Sequence, residues 1–167
     1  VKEDELGETF ARDIRASGVA FSTPMATDGP ATARSFILVT PDGQRTMNTF
    51  LGASQHLGRG ALDADLIAAS DILYLEGYLW NADESRDAMA EAIAIAKGAG
   101  GKVAFTLSDS FVIAGHGDTF RKMMADGDID ILFANETEIL ALTGESDFDA
   151  AVNMAAPTVP ILVVTRG

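Results

Sequence analysis

Residues 129–138 read Ile-Asp-Ile-Leu-Phe-Ala-Asn-Glu-Thr-Glu, an apolar run that passes directly into a polar, acidic segment. The run Ile129–Phe133 has the composition of a buried strand, whereas the residues from Glu136 to Leu142 have a helical pattern. Similar apolar runs recur at intervals of about 30 residues, with helical patterns between them: Ile72–Leu75, Val103–Leu107 and Ile161–Val164. This alternation predicts an α/β fold with a doubly wound parallel sheet and helices on both faces.

The helices that accompany these strands are predicted from apolar residues at helical spacing. Within and after the strand series they cover Glu84–Lys97, Phe111–Ala125, Glu136–Leu142 and Phe148–Met154. Near the start of the chain, Leu6, Phe10 and Ile14 stand four residues apart and Gly18 follows the last turn. An amphipathic helix over 4–17 with a glycine stop is therefore predicted.

Two strand-like runs precede the parallel series. Arg34–Val39 and Arg45–Phe50 flank Thr40-Pro41-Asp42-Gly43-Gln44, a segment of residues that favour turns, so they predict an antiparallel hairpin. Such a pair fits a cover better than a member of a parallel sheet. We therefore expect one α/β domain over residues 1–167, with a hairpin within 31–50. An exposed hairpin edge invites pairing, which leaves a homodimer through it open.

The composition is that of a globular protein: 47% of the 167 residues are hydrophobic and 22% are charged. With 12 basic and 25 acidic residues the net charge is -13, which disfavours nucleic acid and anionic membranes as partners. There is no cysteine, no apolar stretch of about 18 residues and no signal peptide. We expect a cytoplasmic protein, and because the chain starts at Val1 without methionine we expect an internal segment.

The residues just after each strand are the first candidates for a functional site, because ligands of open parallel sheets bind beyond the carboxyl ends of the strands. All of these segments are polar or acidic. They are Glu76-Gly77-Tyr78, Ser108-Asp109-Ser110, Asn135-Glu136-Thr137-Glu138 and Thr165-Arg166-Gly167.

Asn135 and Glu138 carry the most specific chemistry among these residues. An asparagine at a helix start can cap the helix and offer its amide to a phosphate, and a nearby glutamate can hold the waters of Mg2+. A capping box without a ligand explains the same spacing, so both interpretations stay open. Thr165 and Gly167 offer a hydroxyl and an unobstructed backbone to a nucleotide, or form an ordinary strand-end turn.

The Asn135-x-x-Glu138 motif, followed one unit later by Thr165-x-Gly167, resembles the ribokinase-like (PfkB) carbohydrate kinase family. Residues 35–47 resemble the lid strands of that family. The run Leu73-Tyr74-Leu75-Glu76-Gly77-Tyr78-Leu79 is similar to its adenosine-kinase-like branch. The resemblance covers essentially the whole chain.

The resemblance implies an ATP-dependent phosphotransferase that phosphorylates a hydroxymethyl group of a nucleoside or sugar, with ATP and Mg2+ as cofactors. Asn135 would contact phosphate or a magnesium-bound water, Glu138 would organise the magnesium shell, and Thr165 with Gly167 would line the nucleotide pocket. Glu76 and Phe36 would lie near the acceptor. The hairpin within 31–50 would act as a lid.

Two family segments do not occur in the 167 residues: the glycine-rich sugar-binding segment, and the Gly-Ala-Gly-Asp motif with the general base, which we expect C-terminal to Gly167. A non-catalytic nucleotide- or sugar-binding protein and a structural domain therefore remain alternatives. Aromatic residues that could stack on a purine favour a nucleoside acceptor over ribose, fructose or a keto-deoxy sugar acid, although each also suits a core or rim position. They are Phe36, Tyr78, Trp80 and Phe111.

Overall fold

The computed structural model describes residues 1–166, so Gly167 lies outside the described part of the chain. The chain divides into two compact units, Val1–Leu57 and Gly58–Gly167, and each is described by itself. The single domain expected over 1–167 stays a prediction.

The first unit begins with helix α1, Glu5–Ala16, close to its predicted bounds. Asp4 caps this helix by accepting a hydrogen bond from the Gly7 N–H at 2.8 Å. The other carboxylate oxygen accepts from the Thr32 N–H at 2.9 Å, and Thr32 is buried. One aspartate therefore satisfies both a helix start and a buried loop, which holds these segments together.

The predicted hairpin is confirmed with its predicted bounds. Strand β1, Arg34–Val39, pairs antiparallel with β2, Arg45–Phe50. Since side chains alternate along a strand and opposite partners share a face, each face of the hairpin carries three apolar side chains. One face holds Phe36, Leu38 and Phe50, and the other holds Ile37, Val39 and Met47. All of these side chains are exposed.

The second unit contains a four-stranded parallel sheet in the order β3-β4-β5-β6, which confirms the predicted α/β class. The bounds of the predicted strands and helices agree to within two residues, and the short helix α2 was not predicted. The elements are α2 (Ala64–Ala68), β3 (Ile72–Glu76), α3 (Asp83–Gly98), β4 (Lys102–Thr106), α4 (Ser110–Asp126), β5 (Ile131–Asn135), α5 (Glu136–Thr143), α6 (Phe148–Ala155) and β6 (Ile161–Thr165). Across residues 1–166 no helix combines the length and apolar character needed to span a bilayer.

The helices that follow these strands lie over one face of the sheet. The strands follow one another in sequence order, and because crossovers between parallel strands are almost always right-handed, every intervening helix lies on the same side. Leu75, Phe105 and Leu132 form one row across that face and are buried. On the opposite face Tyr74 and Val163 are exposed. The helical layer predicted for both faces is therefore seen on one face in residues 58–166.

An aromatic cluster joins the helical layer to the sheet. Phe105 of β4 contacts the rings of Trp80 and Phe120 edge to face, with ring centroids 5.1 and 5.0 Å away. Trp80 and Phe120 also contact each other at 5.7 Å. Each such pair contributes about 1 kcal/mol beyond the burial of its area. This cluster fixes α4 over the sheet, and with it the loop that leads from β4 to α4.

Asp130 ties together elements at the amino end of the sheet. Its carboxylate accepts two hydrogen bonds from the Lys97 ammonium at 2.9 Å and one from the Val103 N–H at 2.7 Å. Partial burial raises the pKa of Asp130, but the bonds from Lys97 and Val103 outweigh it and hold the pKa below its usual value. These contacts fasten the end of α3 and the start of β4 to the loop before β5, away from the candidate site.

Candidate functional site

The carboxyl ends of the strands bring most of the predicted site residues to one edge of the sheet. Asn135 ends β5 and Thr165 ends β6, and the two residues are direct partners across the parallel pair. At the other side of the sheet, Glu76 ends β3 opposite Thr106 of β4. Because neighbouring strands lie about 4.8 Å apart, these strand ends form a single crevice edge.

Asn135 and Glu138 form a complete capping box at the start of α5. The Asn135 Oδ1 accepts from the Glu138 N–H at 2.8 Å, and Glu138 Oε2 accepts from the Asn135 N–H at 3.0 Å. The Asn135 Nδ2 also donates to Glu138 Oε1 at 2.8 Å. The two side chains are therefore locked together, which supports the capping interpretation.

The capping box leaves polar capacity for a ligand. A carboxylate offers about four acceptor positions, and Glu138 uses two of them within this pair. The Asn135 amide has two N–H hydrogens and uses one in the pair. Glu138 is only 6% exposed, and burial raises its pKa, against the lowering effect of the Asn135 N–H and with a further increase from Asp109. A buried carboxylate of this kind favours a cation nearby.

The ends of β3 and β4 are joined by Ser108, which the sequence placed among the strand-end candidates without giving it a specific role. Its hydroxyl accepts a hydrogen bond from the Gly77 N–H at 2.9 Å. Among residues 1–166 Ser108 is the only non-glycine residue with a positive φ, at 70°. A non-glycine residue in this conformation costs about 1–2 kcal/mol. The turn is also tight at Gly77, where a Cβ atom would lie 2.6 Å from the Leu107 carbonyl oxygen.

The left-handed turn at Ser108 places Asp109 at the start of α4, where its carboxylate accepts from the Phe111 N–H at 2.8 Å. The Tyr78 hydroxyl lies 3.5 Å from the other carboxylate oxygen and is the donor in that long contact. Burial raises the pKa of Tyr78, and the charges of Asp109, Glu138 and Glu76 raise it further. The carboxylates of Asp109, Glu138 and Glu76 therefore all lie close enough to the Tyr78 hydroxyl to affect its pKa. Asp109 was among the strand-end candidates, and its place directly before a helical pattern is the signal that could have predicted its capping role.

The acidic groups do not form a ready-made metal cage in the part of the chain that the structure describes, where no cluster of three or more potential ligands is found. Mg2+ does not require one, because it keeps several waters and binds through one or two carboxylates together with substrate phosphates. The donor set of Asn135 and Glu138 fits that outer-shell role.

The predicted substrate residues differ in their surroundings. Glu76 is exposed at the end of β3, and Phe36 is 70% exposed on the hairpin of the other unit. Trp80 is 4% exposed in the aromatic cluster, so it is a core residue and is not available to stack on a purine. Tyr78 and Phe111 are both exposed, at 37% and 74%, near the carboxyl edge.

Beyond β6, Thr165 is exposed next to Asn135, while Gly167 lies outside the described residues. Arg166 forms an ion pair with Glu136 at 3.3 Å and lies over the ring of Phe148 at 4.3 Å. These contacts with neighbouring side chains explain the position of the Arg166 side chain without a ligand.

Comparison with known proteins decides the family. A family model described as pfkB family carbohydrate kinase matches residues 1–167. The chain belongs to this family. This pfkB-family chain is 34% identical over 143 residues, or 84% of its length, to the guanosine-inosine kinase of Escherichia coli K12. That match covers 32% of the E. coli protein.

Solved structures agree with this assignment. Adenosine kinase from Sinorhizobium meliloti superposes on 100% of the pfkB-family chain with a TM-score of 0.95 and 45% identity. A probable sugar kinase from Rhizobium etli CFN 42 covers 99% of it with a TM-score of 0.95 and 42% identity. The chain spans about half of each of these proteins, 51% and 50% respectively.

Proposed function

We propose that the protein containing this chain is an ATP-dependent kinase that phosphorylates the hydroxymethyl group of a purine nucleoside. The observation that carries the proposal is the locked Asn135–Glu138 pair at the end of β5, beside Thr165 at the end of β6. This pair stands at the edge where open parallel sheets bind ligands. It does so in a family whose matched relatives include nucleoside kinases.

In the proposed site Asn135 donates its remaining amide hydrogen to a phosphate oxygen or a metal-bound water. Glu138 would accept hydrogen bonds from the waters of a bound Mg2+. When bound, the metal would neutralise charge on the phosphates, which phosphoryl transfer requires. Because the capping box fixes both side chains before any ligand arrives, little ordering is needed on binding.

The remaining residues divide between nucleotide and acceptor. Thr165 lines the nucleotide pocket and Glu76 lies on the acceptor side, while the roles of Phe36 and of Gly167, which is outside the described residues, stay predictions. A lid role for the hairpin within 31–50 also stays a prediction. In the transfer, the bond from the γ-phosphorus to the bridging oxygen of ATP breaks as the acceptor oxygen bonds to phosphorus. The acceptor's proton passes to a general base.

A purine nucleoside is the preferred acceptor because the E. coli relative acts on guanosine and inosine and the S. meliloti relative is an adenosine kinase. Exposed Tyr78 and Phe111 near the carboxyl edge suit a planar base. A sugar is the second candidate, because the R. etli relative of similar identity is a probable sugar kinase. A homodimer through the hairpin, the exclusion of nucleic acid and membranes as partners, and a cytoplasmic location stay predictions.

The full-length protein should transfer phosphate from ATP to adenosine, guanosine or inosine in the presence of Mg2+. A coupled assay for ADP release checks this with those nucleosides and with ribose, fructose and a keto-deoxy sugar acid. We expect kcat/KM for the best nucleoside to exceed that for every sugar by at least about tenfold. A higher kcat/KM for a sugar would reject the nucleoside as the preferred acceptor. The absence of Mg2+-dependent transfer to every acceptor would reject the proposed kinase function.

A further inference from the structure

Ser108 connects two strand ends that are far apart in the sequence. Its hydroxyl oxygen accepts from the Gly77 N–H at 2.9 Å, across a separation of 31 residues, and lies 3.3 Å from the Thr106 carbonyl oxygen as a donor. The preceding residue, Leu107, is fully buried and donates its N–H to the Phe133 carbonyl oxygen at 3.1 Å. The ends of β3, β4 and β5 are thereby linked in one hydrogen-bonded row.

The conformation of Ser108 determines where its neighbours lie. With φ at 70° it reverses the chain between buried Leu107 and Asp109, whose side chain caps α4. On the β3 side, the hydroxyl holds Gly77, which directly precedes Tyr78. Tyr78 and Asp109 thus approach each other from the two ends that Ser108 joins.

Glycine would adopt the left-handed conformation at this position more readily than serine, because it takes positive φ without strain. Glycine, however, has no hydroxyl to accept the Gly77 N–H. The residue at this position therefore has an unfavourable backbone conformation and supplies a hydroxyl that glycine lacks. It lies at the carboxyl edge of the sheet, where the site is proposed. Strain of this kind concentrates at functional positions.

We infer that Ser108 is a positioning residue for the acceptor side of the site, where its hydroxyl sets the placement of Tyr78 and Asp109. This inference rests on the proposed function. Under that function Glu76, at the end of β3, lies on the acceptor side, and Ser108 joins this strand end to the end of β4. Misplacing groups that orient a substrate by about 1 Å lowers the rate strongly.

Two substitutions separate the hydroxyl from the backbone conformation. Ser108→Ala removes the hydroxyl and keeps the strained φ, whereas Ser108→Gly removes the hydroxyl and relieves the strain. In the full-length protein both should raise the acceptor KM about tenfold, with the KM for ATP within about twofold of the wild type. Thermal unfolding should rank Ser108→Gly at or above Ser108→Ala. Ser70→Ala, which changes a serine before β3 at the opposite end of the sheet, is the control and should leave both KM values unchanged.

The outcomes distinguish the inference from the proposed function. A wild-type protein without phosphotransfer would reject the function itself. If the wild type is active and Ser108→Gly keeps the wild-type acceptor KM, the hydroxyl has no effect on acceptor binding. That result would overturn the inference. Equal increases in the KM for ATP and for the acceptor would also overturn it, because the role would then not be confined to the acceptor side.

Discussion

Replacing Gly77 by alanine should destabilise the protein by about 2–3 kcal/mol and abolish most activity. The added Cβ atom would lie 2.6 Å from the Leu107 carbonyl oxygen and 3.2 Å from its carbon. Both are backbone atoms at the end of β4, so no flexible side chain can move aside. Overpacking of a closely packed position costs about 1–3 kcal/mol, and the displaced Gly77 would also lose its bond to Ser108. Urea denaturation measures the change in the free energy of unfolding.

Gly115→Ala is the matched control for that substitution. Gly115 lies within α4, and an added Cβ atom would meet no atom within 4 Å. Alanine should therefore raise stability by about 0.5–1 kcal/mol through its higher helix propensity. If Gly77→Ala had the same midpoint urea concentration of unfolding as the wild type, the conclusion that the ends of β3 and β4 lie in close contact at Gly77 would be wrong.

Replacing Glu138 by glutamine should raise the Mg2+ concentration needed for half-maximal activity by about tenfold or more, with the acceptor KM within about twofold. Glutamine keeps the size of the side chain but removes the charge that favours magnesium waters. It also replaces one acceptor oxygen of the capping box by an NH2 group, so a loss of about 1 kcal/mol in stability is expected. Magnesium titrations of initial rates, at saturating ATP and acceptor, measure the effect.

The pH dependence provides a second readout of the same substitution. Burial raises the pKa of Glu138, so its protonation begins at a higher pH than for an exposed glutamate. As the pH falls through this raised pKa, the wild type should approach the magnesium requirement of Glu138→Gln, whereas the variant's own requirement should change less. Glu145→Gln, which lies beyond the other end of α5, is the control. Its magnesium requirement should equal that of the wild type at every pH. An unchanged magnesium titration for Glu138→Gln would assign Glu138 to helix capping alone.

The sequence predicted the strands and helices well because their signals are local. Apolar runs, helical spacing and capping residues placed the parallel strands and the hairpin to within two residues. The placement of helices on one face depends on strand order, which no single run encodes. The hydrogen bond that the Ser108 hydroxyl accepts from the Gly77 N–H likewise joins residues that are 31 positions apart. Such a contact leaves no periodic pattern in the sequence.

For the candidate site, the spacing of Asn135 and Glu138 predicted that they would meet at the start of a helix, and the structure shows that they do. Spacing could not decide between capping and ligand binding, because both use the same oxygen and nitrogen atoms. The contact between Tyr78 and Asp109 was not predicted, since it requires the ends of β3 and β4 to be adjacent in space.

A crystal structure of the full-length protein with a non-hydrolysable ATP analogue and Mg2+ tests most directly whether Asn135 and Glu138 form part of a nucleotide and magnesium site. We predict a phosphate oxygen or a metal-bound water within hydrogen-bonding distance of the Asn135 amide, and a metal-bound water within that distance of the Glu138 carboxylate. Phosphates and metal bound away from the carboxyl ends of β5 and β6, with the capping box untouched, would contradict the proposed site.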